Sequence, residues 1–187
     1  MVSAEDREDI RRSLEGDGEA FARLVDRYQQ LIARSMWRFT RDRACIEELV
    51  QDVFVEAYLS LRTFRGEAPF LHWLRKISTR VGYRYWQRQA CERSRKTFSL
   101  EDWDEPELPA PETMRPSEAA DTLHAVLAEL PPRDRWVLHL MYFEGCTVVE
   151  AAELTGWSQT MVKVQAFRAR SKLKRLLEKS QRRDVNG

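Results

Sequence analysis

The chain has 187 residues, of which 43 % are hydrophobic and 33 % are charged, with only seven glycines and seven prolines. This composition is typical of one or two compact soluble domains, and it excludes a collagen-like or intrinsically disordered chain. No window approaches the roughly 18 consecutive apolar residues of a membrane span, and the first residues, MVSAEDREDIRRSLEG, contain no apolar signal-peptide core. We therefore expect a cytoplasmic protein that is not inserted in a membrane.

The formal net charge of +1 hides a strong segregation of charge along the chain. Residues 62–96 contain ten Lys or Arg against two Asp or Glu, and residues 160–183 contain nine against one. By contrast, residues 97–159 contain thirteen acids against three bases. Two basic segments separated by an acidic one are typical of a protein that contacts a polyanion at two places. Two solvated helix faces would give the same counts, so charge alone leaves both interpretations open.

Hydrophobic residues recur at spacings of three and four from about Glu5 to Arg93, which predicts helices throughout this segment. Three apolar stripes contain Phe21, Leu24, Val25, Tyr28, Leu31 and Ile32; then Leu49, Val53, Phe54, Ala57 and Leu61; and then Phe70, Leu74, Ile77 and Val81. The sequence FRGEAP separates the last two stripes, because Gly66 and Pro69 disfavour helix there. We expect these helices to form one small domain over residues 1–93.

Residues 94–116 lose this periodicity and contain four prolines and six acids. Proline has no backbone N–H and biases the preceding residue away from helix, so the segment is predicted to be an extended, flexible linker. A second helical domain is predicted over residues 117–187. Its two apolar stripes contain Leu123, Val126, Leu127 and Leu130, and then Val137, Leu138, Met141 and Tyr142. Because hairpin turn signals between alternating apolar runs are absent, the predicted fold class is all-α, with two small helical domains.

A helix-turn-helix is predicted within residues 147–177. Thr147 and Glu150 have the spacing of a capping box, which predicts the start of a short helix. Gly156 follows at a tight turn that favours positive φ, and Ser158 can cap the next helix. That second helix is predicted to bury Val162, Ala166, Ala169, Leu173 and Leu176 and to expose Gln159, Thr160, Lys163, Gln165, Arg168, Arg170 and Lys172. A short helix, a turn and a longer basic helix favour insertion of the second helix into the DNA major groove.

Three motifs, in this order, resemble the extracytoplasmic-function (group IV) sigma factors of bacterial RNA polymerase: AFARLVDRYQQLI, EELVQDVFVEAYLSLRTFRGEAPFLHWLRKI and AELPPRDRWVLHLMYFEGCTVVEAAELTGWSQTMVKV. The resemblance covers nearly the whole chain. It implies a region-2 domain in residues 1–93, which binds core polymerase and melts the minus-10 element. It further implies a linker in residues 94–116 and a region-4 domain in residues 117–187, which binds the minus-35 element. An anti-sigma factor is a further expected partner, and no catalytic activity, cofactor or small-molecule substrate is implied.

The resemblance also implies three sets of functional residues. Contacts with the coiled coil of the beta-prime subunit of core polymerase are expected from Glu48, Gln51 and Asp52, and the beta subunit is a further expected partner of the protein. Contacts with the minus-10 element are expected from Phe64, Arg65, Arg80, Tyr83, Arg84, Trp86 and Arg88. Contacts with the minus-35 element are expected from Ser158, Gln159, Thr160, Lys163, Val164, Gln165, Phe167 and Arg168. Aromatic rings stack on unpaired bases while cations follow the backbone, which suits the second set.

The sequence departs from the pattern of the family in two segments. Relatives usually have Asn and Asp where this chain has Arg80 and Arg84, so a different minus-10 preference is expected. The frequent Val-Lys-Ser-Arg of the recognition helix is Val-Lys-Val-Gln here, ending at Gln165. Since Gln pairs with adenine, whereas Arg favours guanine or phosphate, an unusual minus-35 preference is also expected.

Two other classes of function compete with this interpretation. An autonomous helix-turn-helix regulator would bind duplex DNA without polymerase, but the basic aromatic segment would then lack a purpose. A helical-bundle enzyme could use Glu47, Glu48 and Asp52 as ligands or acids, but a Glu-x-x-His pair is missing from the sequence. The three cysteines, Cys45, Cys91 and Cys146, have no ligand spacing, so we expect reduced structural thiols and no metal site.

Overall fold

The computed structural model describes residues 2–96 and 118–185, with side chains described for residues 2–93 and 123–179. Within these ranges the chain is helical and contains no strand, which confirms the all-α prediction. No described helix is both long and apolar enough to cross a bilayer. The helices are α1 (Ala4–Leu14), α2 (Gly18–Met36), α3 (Arg43–Ser60), α4 (Phe70–Lys96), α5 (Glu118–Ala128), α6 (Pro132–Leu138), α7 (Val148–Thr155) and α8 (Gln159–Val185).

The chain divides into two compact units, residues 1–85 and residues 86–187, so the division falls inside α4. This structural division precedes the boundary at residue 93 that the sequence pattern suggests, and that functional boundary stays a prediction. Residues 94–96 continue α4 into the segment expected to be a linker. The rest of that segment, including all of its prolines and acids, lies outside the described residues.

The core of the first unit is built from the stripes that the sequence predicts. Phe70, Leu74, Ile77 and Val81 of α4 are all buried, as are Leu24, Ile32, Leu49, Val53, Phe54, Ala57 and Leu61 from α2, α3 and the turn that follows. Leu31 is an exception, because it lies on the solvent side of α2 and remains exposed. The sequence FRGEAP forms the loop between α3 and α4, where Gly66 has a φ of 73°. This loop is held at the surface by the aromatic start of α4.

Helix α1 packs on α2 through a buried ionic network rather than through a broad apolar stripe. Asp6 accepts a hydrogen bond from the Tyr28 hydroxyl at 2.7 Å and another from Arg27 at 2.5 Å. Asp9 pairs with Arg23 at 2.7 Å and with Arg27 at 3.0 Å. Burial and the nearby Asp6 carboxylate raise the pKa of Tyr28 to about 12, so its hydroxyl stays a donor at neutral pH. Buried acids of this kind need such partners, since an unpaired charge would be costly.

Replacing Asp9 with Asn is expected to destabilise the protein at neutral pH and to have little effect in acid. Burial raises the pKa of Asp9, but hydrogen bonds from Arg23 and Arg27 and their charges lower it below the ordinary value of 3.8. A lowered folded-state pKa stabilises the fold above about pH 3.8, and this contribution is lost as the pH falls further. We expect a loss of about 1.5 kcal/mol at pH 7, measured by urea unfolding. An equal loss at pH 7 and pH 3 would contradict the ionic network.

The second unit packs α6, α7 and α8 around Val137, Leu140, Ala151, Val162 and Ala169, which are fully enclosed. One prediction here is wrong. Tyr142 was expected to continue the apolar stripe that begins at Val137, yet it is 58 % exposed. The reason is a π-helical turn, His139–Phe143, which follows α6 and inserts an extra residue into the turn. This insertion rotates Leu140 inward and Tyr142 outward.

Candidate nucleic-acid interfaces

The predicted helix-turn-helix is present in the second unit, with the expected caps. The Thr147 hydroxyl accepts the backbone N–H of Glu150, and the Glu150 carboxylate accepts the backbone N–H of Thr147 at 2.8 Å, which forms a complete capping box. Gly156 ends α7 in the left-handed region with a φ of 72°. Ser158 then accepts the backbone N–H of Met161 at the start of α8. Local chemistry therefore fixes both ends of the turn between α7 and α8.

Helix α8 buries Val162, Ala166 and Ala169 as predicted, and this packing determines which side chains face outward. The exposed residues from the expected minus-35 set are Ser158, Gln159, Thr160, Lys163, Val164, Phe167 and Arg168. Phe167 is 65 % exposed although it is aromatic. An exposed face that combines cations, short polar side chains and apolar groups has the chemistry of a DNA major-groove surface.

Gln165 is placed differently from the other expected residues of α8. Its side chain is half-buried, and its amide nitrogen donates to the Asp134 carboxylate of α6 at 2.5 Å. The second oxygen of Asp134 pairs with Lys172, also at 2.5 Å. The sequence pattern places Gln165 and Lys172 on the outward face, whereas the structure turns both side chains toward α6. The apolar periodicity of α8 cannot reveal this, because the buried partner is a carboxylate on another helix.

An aromatic cluster lies where the loop after α3 meets α4. The Phe64 ring contacts the rings of Phe70 and Trp73, each with a centroid separation of 5.4 Å. Phe70 is buried, as expected, and stacks on the half-buried Trp73. Phe64 is also half-buried, and the neighbouring Arg65 is exposed. The cluster anchors the loop and leaves part of Phe64 at the surface beside a cation.

Arg80, Arg84 and Arg88 are exposed and lie along one side of α4 at intervals of four residues. Four residues advance a helix by about 6 Å, so the three positions span about 12 Å. Arg84 forms an ion pair with Glu56 of α3, which fixes its side chain against the neighbouring helix. Tyr83 flanks this row and is half-buried. Arg80, Arg84 and Arg88 thus form an arginine ridge, beside which only part of an aromatic ring is exposed.

Trp86 does not offer its ring to a ligand in this arrangement, which differs from the sequence-based expectation. Only 4 % of its surface is exposed. The guanidinium of Arg135 lies 4.6 Å from the centre of its ring, and the His139 ring meets it edge-on at 6.1 Å. A large indole gains more from burial and from a cation–π contact than from solvent, so it packs inside the second unit.

The outward face of α3 carries the three residues expected to bind polymerase. Glu48, Gln51 and Asp52 are all exposed and lie outside the buried stripe of Leu49 and Val53. The ion pairs of α3 belong to other acids, because Glu47 pairs with Arg43 and Glu56 pairs with Arg84. The carboxylates of Glu48 and Asp52 therefore point to solvent.

Comparison with known proteins decides the family. Sigma-70 region 2 matches residues 24–91, and Sigma-70 region 4 matches residues 120–173. The RNA polymerase sigma factor NccH of Alcaligenes xylosoxydans xylosoxydans is 30 % identical over 91 % of this chain and 94 % of its own length. The ECF RNA polymerase sigma-E factor of Haemophilus influenzae is 28 % identical, over 90 % of this chain and 93 % of its own. The chain belongs to the extracytoplasmic-function sigma factors.

The solved structure of CnrH in complex with the cytosolic domain of CnrY is similar to this sigma factor. The two chains are 25 % identical, with a TM-score of 0.57, and the match covers 93 % of this chain and 97 % of CnrH. Membership of the family establishes an alternative sigma factor, a protein that directs transcription initiation at chosen promoters. The sequence-based interpretation of the function is thereby confirmed, while the role of each individual residue stays a prediction.

Sequence reasoning missed part of the exposed face of α3 in this sigma factor. Val55, Tyr58 and Leu59 are exposed, and Leu59 reaches 77 %. Together with Phe21 and Phe54 they line a shallow apolar depression next to Asp52. The available signal was their position in the helix, because Val55 and Leu59 fall outside the buried stripe of Leu49, Val53 and Ala57. Apolar residues on the solvent side of an amphipathic helix often mark a contact with another molecule.

The three cysteines of this sigma factor lie in different surroundings: Cys91 is exposed, whereas Cys45 and Cys146 are half-buried. Burial raises the pKa of the Cys45 thiol, and the neighbouring Asp42 carboxylate adds to the effect. Within residues 2–96 and 118–185, no three His, Cys, Asp or Glu side chains are grouped closely enough to hold a metal ion. Cys91 is thus the thiol that a reagent in solution can reach.

We expect iodoacetamide to modify Cys91 at least about fivefold faster than Cys45 in the native protein, because alkylation requires an accessible thiolate. Peptide mass spectrometry at successive times would give the separate rates. In denaturant the exposure of the two thiols becomes the same, so the rates should approach each other. If Cys45 reacted first in the native state, its assigned surroundings would be incorrect.

Proposed function

We propose that this sigma factor binds core RNA polymerase through α3 and contacts promoter DNA through the basic faces of α4 and α8. Region 2 is assigned to residues 1–93, the linker to residues 94–116 and region 4 to residues 117–187. The two family matches fall inside the first and last of these ranges, which supports the assignment. The single observation that carries the proposal is the capped helix-turn-helix, whose second helix exposes Lys163 and Arg168.

The outward face of α3 is suited to a protein partner rather than to nucleic acid. Val55 and Leu59 supply apolar area, and Glu48 and Asp52 place negative charge beside it. Protein interfaces commonly have an apolar centre and a polar rim, and charges at the rim steer and orient the partner. The complementary surface is therefore apolar and basic. We propose that this partner surface is the coiled coil of the beta-prime subunit.

The minus-10 interface combines the loop at Phe64 with the arginine ridge of α4. Unstacked bases bind on aromatic or apolar surfaces while cations follow the backbone, and the loop and the ridge provide these two parts. We assign Phe64 and Arg65 to the base that leaves the stack, and Arg80, Arg84 and Arg88 to the phosphates. The ion pair of Arg84 with Glu56 holds this side chain in place before DNA arrives. Trp86 is left out of the interface because it is buried.

The minus-35 interface is the exposed face of α8. Lys163 and Arg168 are placed to contact phosphates, while Gln159 and Thr160 lie near the start of the helix, where a recognition helix meets base edges. Val164 and Phe167 are apolar and exposed, so they are suited to the methyl group of thymine. This division of roles assigns affinity to the cations and sequence preference to the short polar and apolar side chains.

Regulation by a protein inhibitor is part of the proposal. CnrH was solved with the cytosolic domain of CnrY, and a second relative in structure, RpoE from Bartonella quintana, was solved with the anti-sigma factor NepR. We propose that an anti-sigma factor binds the exposed apolar and acidic face of α3 in this protein. An inhibitor bound there would also prevent the binding of polymerase. We further propose that the protein acts in the cytoplasm and has no catalytic activity of its own.

Run-off transcription with bacterial core polymerase tests the proposal. Core enzyme with and without the protein would transcribe a pooled promoter library, and the 5′ ends of the products would be sequenced. New start sites that share two spaced motifs are expected only when the protein is present. Duplex DNA binding with no detectable binding to core polymerase would instead support an autonomous regulator.

A further inference from the structure

Asp134 is a buried carboxylate whose partners both come from the proposed recognition helix. It lies near the start of α6 and is 1 % exposed. Gln165 donates to one of its oxygens and Lys172 pairs with the other, each at 2.5 Å. A buried charge requires compensation, and here α8 supplies all of the side-chain contacts described for this carboxylate.

The spacing of the two partners makes this contact a constraint on the rotation of α8. Seven residues separate Gln165 from Lys172, which is close to two helical turns, so both side chains leave the same side of α8. Between them lies Ala169, which is fully buried and small enough to let α6 approach. A rotation of α8 about its axis would break both contacts with Asp134. Lys163, on the opposite side of α8, therefore keeps a fixed direction, and so does Arg168, which lies about one turn from both Gln165 and Lys172.

The same contact withholds Gln165 from base recognition. A glutamine that reads adenine uses both its oxygen and its amide nitrogen. In this structure the amide nitrogen is engaged by Asp134. A base contact would have to break a charge-assisted hydrogen bond and leave a buried carboxylate oxygen short of a partner, which is costly. Gln165 thus faces the protein, although it occupies a position in the recognition helix.

We infer that Asp134 is a positioning residue for minus-35 recognition, which sets the rotation of α8 through Gln165 and Lys172 and keeps Gln165 from reading a base. This inference rests on the proposed function of α8. It implies that the sequence preference comes from the exposed residues of α8 alone.

Gln165→Ala tests the second half of the inference. The holoenzyme would be assayed on promoters that carry every single base-pair change in the minus-35 element, beside a Lys163→Ala holoenzyme as a DNA-contact control. We expect Gln165→Ala to weaken all promoters by a similar factor and to preserve the order of preference. If Gln165 reads a base, one base pair would instead lose about fivefold or more of its discrimination, which would overturn the inference.

Asp134→Ala tests the first half, because it releases both partners. Gln165 is then able to reach a base, so we expect a new preference of about fivefold or more at one base pair, which the double variant with Gln165→Ala should remove. Lys172, no longer paired with Asp134, should then contact a phosphate. The slope of the logarithm of the DNA-binding constant against the logarithm of the salt concentration should therefore steepen by about one unit. A lower melting temperature with unchanged preference and salt slope would show a merely structural role and overturn the inference.

Two further measurements keep the outcome clear. If Asp134→Ala does not fold, Asp134→Asn is the substitute, because it retains an acceptor for Gln165 but has no charge to pair with Lys172. For this variant we expect a steeper salt dependence of promoter binding with no change in base preference. An unchanged salt dependence would contradict the inference. The side-chain amide signals of Gln165 in the isolated protein should exchange slowly with solvent and lose this protection in Asp134→Ala/Lys172→Met, which leaves no acceptor for the amide. Fast exchange in the native protein would refute the contact even if the minus-35 role of α8 itself had failed.

Discussion

Core polymerase should bind the Asp52→Lys variant at least about tenfold more weakly than the native sigma factor, with no loss of folding stability. Asp52 is exposed and lies next to the apolar group of Val55 and Leu59. A lysine at this position would face a basic partner surface, so attraction is replaced by like-charge repulsion, which costs up to several kcal/mol. A tenfold loss of affinity corresponds to about 1.4 kcal/mol. Fluorescence anisotropy of the labelled sigma factor with core enzyme would give the two dissociation constants.

Glu47→Lys is the matched control for this prediction. It introduces the same change of charge on the same helix, but five residues away and so about 140° around the axis. Its affinity for core should stay within about twofold of the native value, since only an exposed pair with Arg43 is lost and such pairs contribute little. Similar losses in both variants would indicate a general effect of charge, and unchanged binding of Asp52→Lys would remove Asp52 from the interface.

The sequence was sufficient where local chemistry determines the structure. Thr147 with Glu150 and the glycine at 156 specify a cap and a turn within ten residues, and the structure forms both as expected. The stripe from Phe70 to Val81 is likewise a property of one helix, and it is buried. Periodicity and capping require no knowledge of the rest of the molecule, so they could be read directly from the sequence.

The sequence was insufficient where a side chain is captured by a partner far away in the chain. Gln165 is turned inward by a carboxylate 31 residues earlier, and Trp86 is enclosed by Arg135 and His139. Tyr142 is displaced by one π-helical turn, which no apolar pattern announces. The exposure of Val55 and Leu59, by contrast, follows from their positions outside the buried stripe of α3. The sequence-based predictions therefore match the structure for exposed residues that have no distant partner. They differ from it where a side chain packs against another helix.

Gly82→Ala should lower the free energy of unfolding by about 1–2 kcal/mol and should weaken minus-10 recognition with it. Gly82 lies in α4 between Arg80 and Arg84, and an added Cβ would come within 2.2 Å of the buried Phe39 ring. Overpacking of this kind costs about 1–3 kcal/mol, which the higher helix propensity of alanine offsets by up to about 1 kcal/mol. Urea unfolding and transcription from templates with an altered minus-10 element would measure the two effects.

Gly18→Ala separates this steric effect from the effect of removing a glycine. Gly18 begins α2, and an added Cβ would meet no atom within 4 Å, so this variant should be neutral or slightly more stable. The double variant Gly82→Ala/Phe39→Leu should recover part of the lost stability, because the clash involves the ring carbons of Phe39, which leucine lacks. If Gly82→Ala were as stable as Gly18→Ala, the close approach of Phe39 to α4 would be incorrect. The arginine ridge beside Gly82 depends on this approach, since any displacement of α4 moves Arg80 and Arg84 with it.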